Sequence, residues 1–241
     1  MEPMLESYLS RYLAGDTRSV WDEIGSLSTA EMPSDFEADV SAVCRETMRR
    51  VRHNVEQIVS ALESIEYEFG VYPDGNRFPL FEGPVAAPDP SIDRKLDELV
   101  GSVGAIPLAL TALWREIGTI CLIGRHPDWP SYADPLMIDP IDAALEEANT
   151  WHEMVRDLGA DVTGSFRAPI APDSFHKDNV SGGDWYGIEL PCATVDAALS
   201  SEPHETTLVG YLHIAINANG FPGADQIPKP LADVEIDFLD F

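Results

Sequence analysis

Along the 241-residue chain, apolar positions recur first at helical spacing and later at strand spacing. Leu5, Leu9, Tyr12 and Leu13 predict one helix that Gly15 ends, and Val20, Trp21, Ile24 and Leu27 predict a second. Ser34-Asp35-Phe36-Glu37 has the spacing of a capping box, in which the two end side chains satisfy each other's orphan amides. It opens an apolar stripe running from Phe36 through Val40, Val43, Met48, Val51, Val55, Ile58 and Leu62 to Ile65. A stripe of that length predicts one extended helix laid against a partner surface.

The pattern breaks over residues 70–90. Gly70-Val71-Tyr72-Pro73-Asp74-Gly75 reads as a turn, and Pro79, Gly83, Pro84, Pro88 and Pro90 exclude regular structure from most of the stretch. Phe78, Leu80 and Phe81 predict that part of it packs on its neighbours. Three units follow: a helical module over 1–69, a Pro/Gly-rich linker over 70–90 and an α/β domain over 91–241. In that domain a helix is expected over 91–103, and another opens with Pro107 at its first position. The second carries Leu110, Leu113, Trp114 and Ile117, and Gly118 stops it. Strands are expected at 119–123 and 136–138, and Asp139-Pro140-Ile141-Asp142 starts a helix running to Leu158. Further strands at 166–171 and 185–190 precede a helix over 205–217. The expected class is α/β in the α+β sense: a helical N-terminal module plus a mixed β-sheet domain flanked by helices.

The order Pro107, Leu110, Trp114, Gly118, then the strand up to Gly124, resembles the opening of the SUKH superfamily domain. Asp134-Pro135-Leu136, Ile170-Ala171-Pro172-Asp173 and Gly182-Gly183-Asp184 with Tyr186 continue the likeness, which spans about residues 92–223. Ile117 stands where that family often has asparagine, and the helical N-terminal module is an extension to it. The whole chain also looks like bacterial proteins that carry a turn of the form Phe221-Pro222-Gly223. SUKH domains occur in yeast cell-wall-assembly regulators and in bacterial toxin-immunity proteins. The resemblance therefore implies a non-catalytic protein that binds and occludes a protein partner such as a toxin.

Charge sharpens the partner's chemistry. The chain has 42 acidic and 15 basic residues, a net charge of −27. That balance argues against a nucleic-acid partner, which is bound through clustered lysine and arginine, and against an anionic membrane. A basic protein partner fits it, a toxin nuclease being the example the resemblance offers. Three lysines against twelve arginines also fit a salt-adapted protein, a reading that implies no partner. Residues 1–6 lack the basic and apolar regions of a secretion signal, so a cytoplasmic protein is expected. Cys44, Cys121 and Cys192 show no metal-binding spacing and read as buried thiols. No cofactor or metal is expected.

Two loops are the candidate binding surface. The first holds His176, Lys177, Asp178, Asn179, Ser181, Gly182, Gly183, Asp184 and Tyr186 between two strands. The second, with His126, Asp128 and Trp129, follows a strand end, a common ligand position in α/β folds. Trp129 reads either as an interface anchor or as a lid over the core. No residue is assigned as catalytic. The alternative is a hydrolase using His176 or His126 as base or metal ligand. Arg45, Arg49, Arg50, Arg52 and His53 form a basic cluster, expected to dock on acidic surface of the chain's own C-terminal part or of another subunit.

Overall fold

The computed structural model describes residues 7–126, 128, 134–158, 165–223, 231 and 234–241. They form an α+β protein with a helical N-terminal region. Leu5, counted in the first expected helix, lies outside the described residues. Helices α1 (Tyr8–Leu13) and α2 (Thr17–Ile24) lean on α3 (Ser34–Ser64), whose 31 residues bury the predicted stripe from Val40 to Leu62. Asp39 of α3 accepts the backbone N–H groups of Tyr8 and Leu9 and so anchors the start of α1.

The capping box is not made. Pro33 is the cap, its carbonyl accepting the Glu37 N–H at 2.8 Å, and Ser34 is already the first helical residue. With φ fixed at −59° and extended ψ, proline occupies the entry position and the serine hydroxyl is displaced from it. The same one-residue offset recurs at Pro107, which caps α5 (Leu108–Glu116) where the first helical position was expected.

Within 70–90 only β2 (Val85–Ala86) is regular, and β1 (Glu68–Phe69) precedes the stretch. After α4 (Ile92–Val103) and α5 come β3 (Thr119–Cys121), β4 (Gly124–Arg125), β5 (Met137–Ile138) and α6 (Ile141–Leu158). The chain continues through β6 (Phe166–Ala171), the single-turn α7 (Ser174–Lys177), β7 (Tyr186–Leu190) and α8 (Leu208–Asn217). Among the described residues the strands divide into three small sheets, β1-β4, β2-β3-β5 and β6-β7, and every pairing is antiparallel. The sheet component among the described residues is thus antiparallel where a mixed sheet was expected. The Asp139 N–H bonds the Ile170 carbonyl where β5 meets β6. Gly118 has φ +84°, and a Cβ there would sit 2.6 Å from the Ala86 carbonyl oxygen, so glycine lets β2 close on β3.

One apolar core extends from Tyr12 through α3, α5, β6, β7 and α8 to Phe241. A second, smaller cluster joins Tyr72, Cys121, Ile123 and Met137, with Phe78 and Phe81 against it. Part of the basic cluster of α3 contacts residues of the 91–241 region, as expected. Arg49 pairs with Glu116 at 3.0 Å, Arg52 donates to the Glu116 carbonyl, and Arg50 donates to the Asp240 carbonyl. Arg50 also lies 4.6 Å from the Tyr12 ring centroid. Among the described residues, no helix is long and apolar enough to cross a membrane.

Candidate functional site

Asp173 begins the first candidate loop as the cap of α7. Its Oδ1 accepts the His176 backbone N–H at 2.9 Å and lies 3.1 Å from His176 Nδ1. This turn was not read from the sequence, although an Asp three residues ahead of the amide it caps is a helix-start signal. It sends successive side chains to opposite sides. Phe175 and His176 face solvent, while Lys177 turns inward with 1% of its surface exposed.

Lys177 Nζ meets Asp134 Oδ1 at 2.6 Å, and the Tyr186 hydroxyl donates to Asp134 Oδ2 at 3.1 Å. The ammonium also lies 4.9 Å from the Tyr186 ring centroid. Asp134 is 4% exposed and Tyr186 1%. An ion pair so buried persists only when further hydrogen bonds and packing complete it, and the phenol does that here. Burial, then the Asp134 carboxylate, pushes the Tyr186 hydroxyl well above its ordinary pKa, so it stays a donor. Behind it, Tyr211 packs edge-on at 5.9 Å, its buried hydroxyl without a hydrogen-bond partner among the described residues.

Asp134 lies eight residues after His126 of the second candidate loop, and the Lys177 contact ties it to the first. The first loop also reaches a third segment, because Asn179 Nδ2 donates to Asp74 Oδ2 at 2.9 Å in the 72–76 turn. Asn179 adopts φ +61°, and Gly182 and Gly183 adopt +115° and +81°. A Cβ on Gly183 would fall 2.0 Å from Asp173 Oδ2, so this glycine lets the loop fold over its own cap. At the far end Asp184 pairs with Arg167 and accepts from the Ser201 hydroxyl, and Arg167 lies 5.0 Å from the Trp185 ring centroid.

The predicted residues therefore separate into two sets. Lys177 and Tyr186 are inward anchors, while His176, Asn179, Ser181, Gly182, Gly183 and Asp184 are exposed. Asp178 is half-buried; Asp128 is exposed and donates its backbone N–H to His126 Nδ1 at 3.2 Å. Trp129 lies outside the described residues. Phe175 and Val180, in the same loop, carry apolar side chains exposed to 48% and 39%.

His204 bonds the nearly buried Glu202 two residues away. Among the described residues, no group of three or more histidine, cysteine, aspartate or glutamate side chains is placed to hold a metal ion. Cys44 and Cys121 are buried and their thiol pKa values are pushed up to about 12 and about 11, chiefly by burial, so neither is an activated nucleophile. Comparison of the chain with family models, curated proteins and solved structures gave no match.

Proposed function

We propose that the chain is a non-catalytic interaction protein that binds and occludes a basic protein partner through the exposed side of residues 174–186. The observation that carries this reading is the pinned loop. Its underside is fixed by the Lys177–Asp134–Tyr186 network, and its outer side presents Phe175 and Val180. Apolar contacts on a rigid support bind at lower entropic cost than the same groups on a mobile loop.

Charge supports the nature of the partner. Arg11, Arg49, Lys95, Arg125 and Arg167 are engaged with carboxylates of the chain itself. Residues 126–241 hold 21 acids against 4 bases, compared with 21 against 11 in residues 1–125. Such a surface speeds encounter with a basic partner at a rate that falls as salt rises. The SUKH resemblance adds a partner class, a toxin such as a nuclease, blocked sterically in the cytoplasm.

Immobilised chain exposed to candidate basic toxins at low and high salt tests the reading. Association is expected to slow as salt rises, and Phe175→Ser with Val180→Ser to weaken binding at least tenfold with an unchanged melting temperature. Binding indifferent to both changes, or no binding, overturns it.

A further inference from the structure

A groove of about 970 Å³ is lined by residues that follow the 72–76 turn that Asn179 touches. Phe78, Leu80 and Phe81 form one wall. Ile120 of β3, Met137 and Ile138 of β5 and Trp114 also line it, and the start of α6 completes the rim. Its chemistry is one-sided. Glu82, Asp89, Asp139 and Asp142 line it, and no lysine, arginine or histidine is among the described lining residues. One cation stands behind the rim: Lys95 Nζ bridges Asp89 and Asp142 at 2.7 and 2.6 Å. The lining therefore keeps a net negative charge.

Leu80 sits on the lip with 80% of its surface exposed, more than any other exposed large apolar side chain among the described residues. A lone exposed leucine needs no explanation, but this one continues an apolar wall and floor already formed behind it. The indole N–H of Trp114 donates to the Asp139 carbonyl at 3.3 Å and fixes the rim at that point.

The geometry points to this groove as the docking site for a segment of the basic partner that carries a bulky apolar side chain beside lysine or arginine. The apolar side chain enters between Leu80 and the β3-β5 floor, and the cations meet Glu82, Asp89 and Asp142. This inference rests on the proposed binding of a basic protein and assigns it a second contact. Residues 72–81 connect the two, with Asp74 bonded to the loop at one end and Phe78 and Phe81 walling the groove at the other. A partner spanning both would hold the 72–81 segment between its contacts.

Three fluorescein-labelled hexapeptides test the groove by anisotropy against the full chain. The first is lysine-lysine-tryptophan-leucine-lysine-lysine, the second has glycine-serine at its centre, and the third replaces every lysine of the first by glutamate. The first is expected to bind at least tenfold tighter than the second, and the third not at all. Leu80→Ser and Glu82→Gln, both on exposed side chains, should each weaken the first at least threefold. Equal binding of the two cationic peptides, unaffected by either variant, overturns the groove while leaving charge-driven partner binding intact. Absence of peptide binding also overturns it. Failure to capture any basic toxin at low salt is the separate result that overturns the reading beneath it.

Discussion

A lysine with no exposed side-chain surface is expensive to bury, since both its hydration and its rotamer freedom are lost. Lys177 is retained in the fold because Asp134 and Tyr186 together receive it. Lys177→Met should therefore cost about 3–5 kcal/mol by leaving Asp134 buried and unpaired, while adding Asp134→Leu should restore most of that loss. Urea unfolding of the two variants checks this; equal loss in both would mean that packing, not charge, holds the site. Asp139 offers a titration with the opposite sense from a salt-bridged acid. Burial raises its pKa from 3.8 to about 6, against a smaller opposing pull from Lys177. The fold thus favours the neutral acid, a contribution complete below about pH 4 and lost as pH rises through 6. Relative to Asp139→Asn, the natural chain should lose up to about 3 kcal/mol across that window. Urea midpoints at several pH values test it, and a constant difference between the two proteins would contradict it.

At the scale of elements, the C-terminal segment is held by side chains of α3. The Asn54 side-chain amide is fully buried and makes two 2.8 Å bonds, donating to the Leu239 carbonyl and accepting the Leu239 N–H. Phe241 then stacks on His213 of α8 with centroids 4.0 Å apart. Asn54→Ala should destabilise the protein by about 1–3 kcal/mol and raise hydrogen exchange over residues 235–241 ahead of the rest. Uniform exchange in that variant would show that the segment is held by other contacts. Nothing in the sequence near Asn54 announces this role, because its partner is 185 positions away. The elements that are legible are those whose signal repeats along their own length. The stripe of α3 and the strand at 166–171 are of this kind, and β6 spans those same six residues. Single-position signals are less informative: proline took the cap that Ser34 matched by spacing. The candidate loop was visible from its polar and glycine residues. Which of its side chains turn inward was not, because the 43-residue separation of Asp134 and Lys177 leaves no local pattern.

For the whole molecule, the surplus of 27 negative charges is a self-repulsion that mobile ions weaken. Most ion pairs are at least partly exposed and contribute little singly. The core, continuous from Tyr12 to Phe241, supplies the main driving force. The protein should therefore be folded in dilute buffer and gain a few degrees in melting temperature by about 0.15 M salt, where the screening length shrinks to about 8 Å. Calorimetry across a salt series measures this. A chain that folds only in molar salt would instead mark its acidity as salt adaptation and withdraw the charge argument for a basic partner.

The clasp between Asn54 and Leu239 also sets an order of events. During synthesis α3 leaves the ribosome 185 residues before the backbone that its buried amide receives. At ordinary translation rates that is a delay of roughly 10–40 s. Closing so long a loop costs roughly 4–5 kcal/mol of chain entropy, so the clasp follows the collapse of the core and does not nucleate it. Until then the Asn54 amide, fully buried in the finished fold, is without the backbone partner that satisfies it.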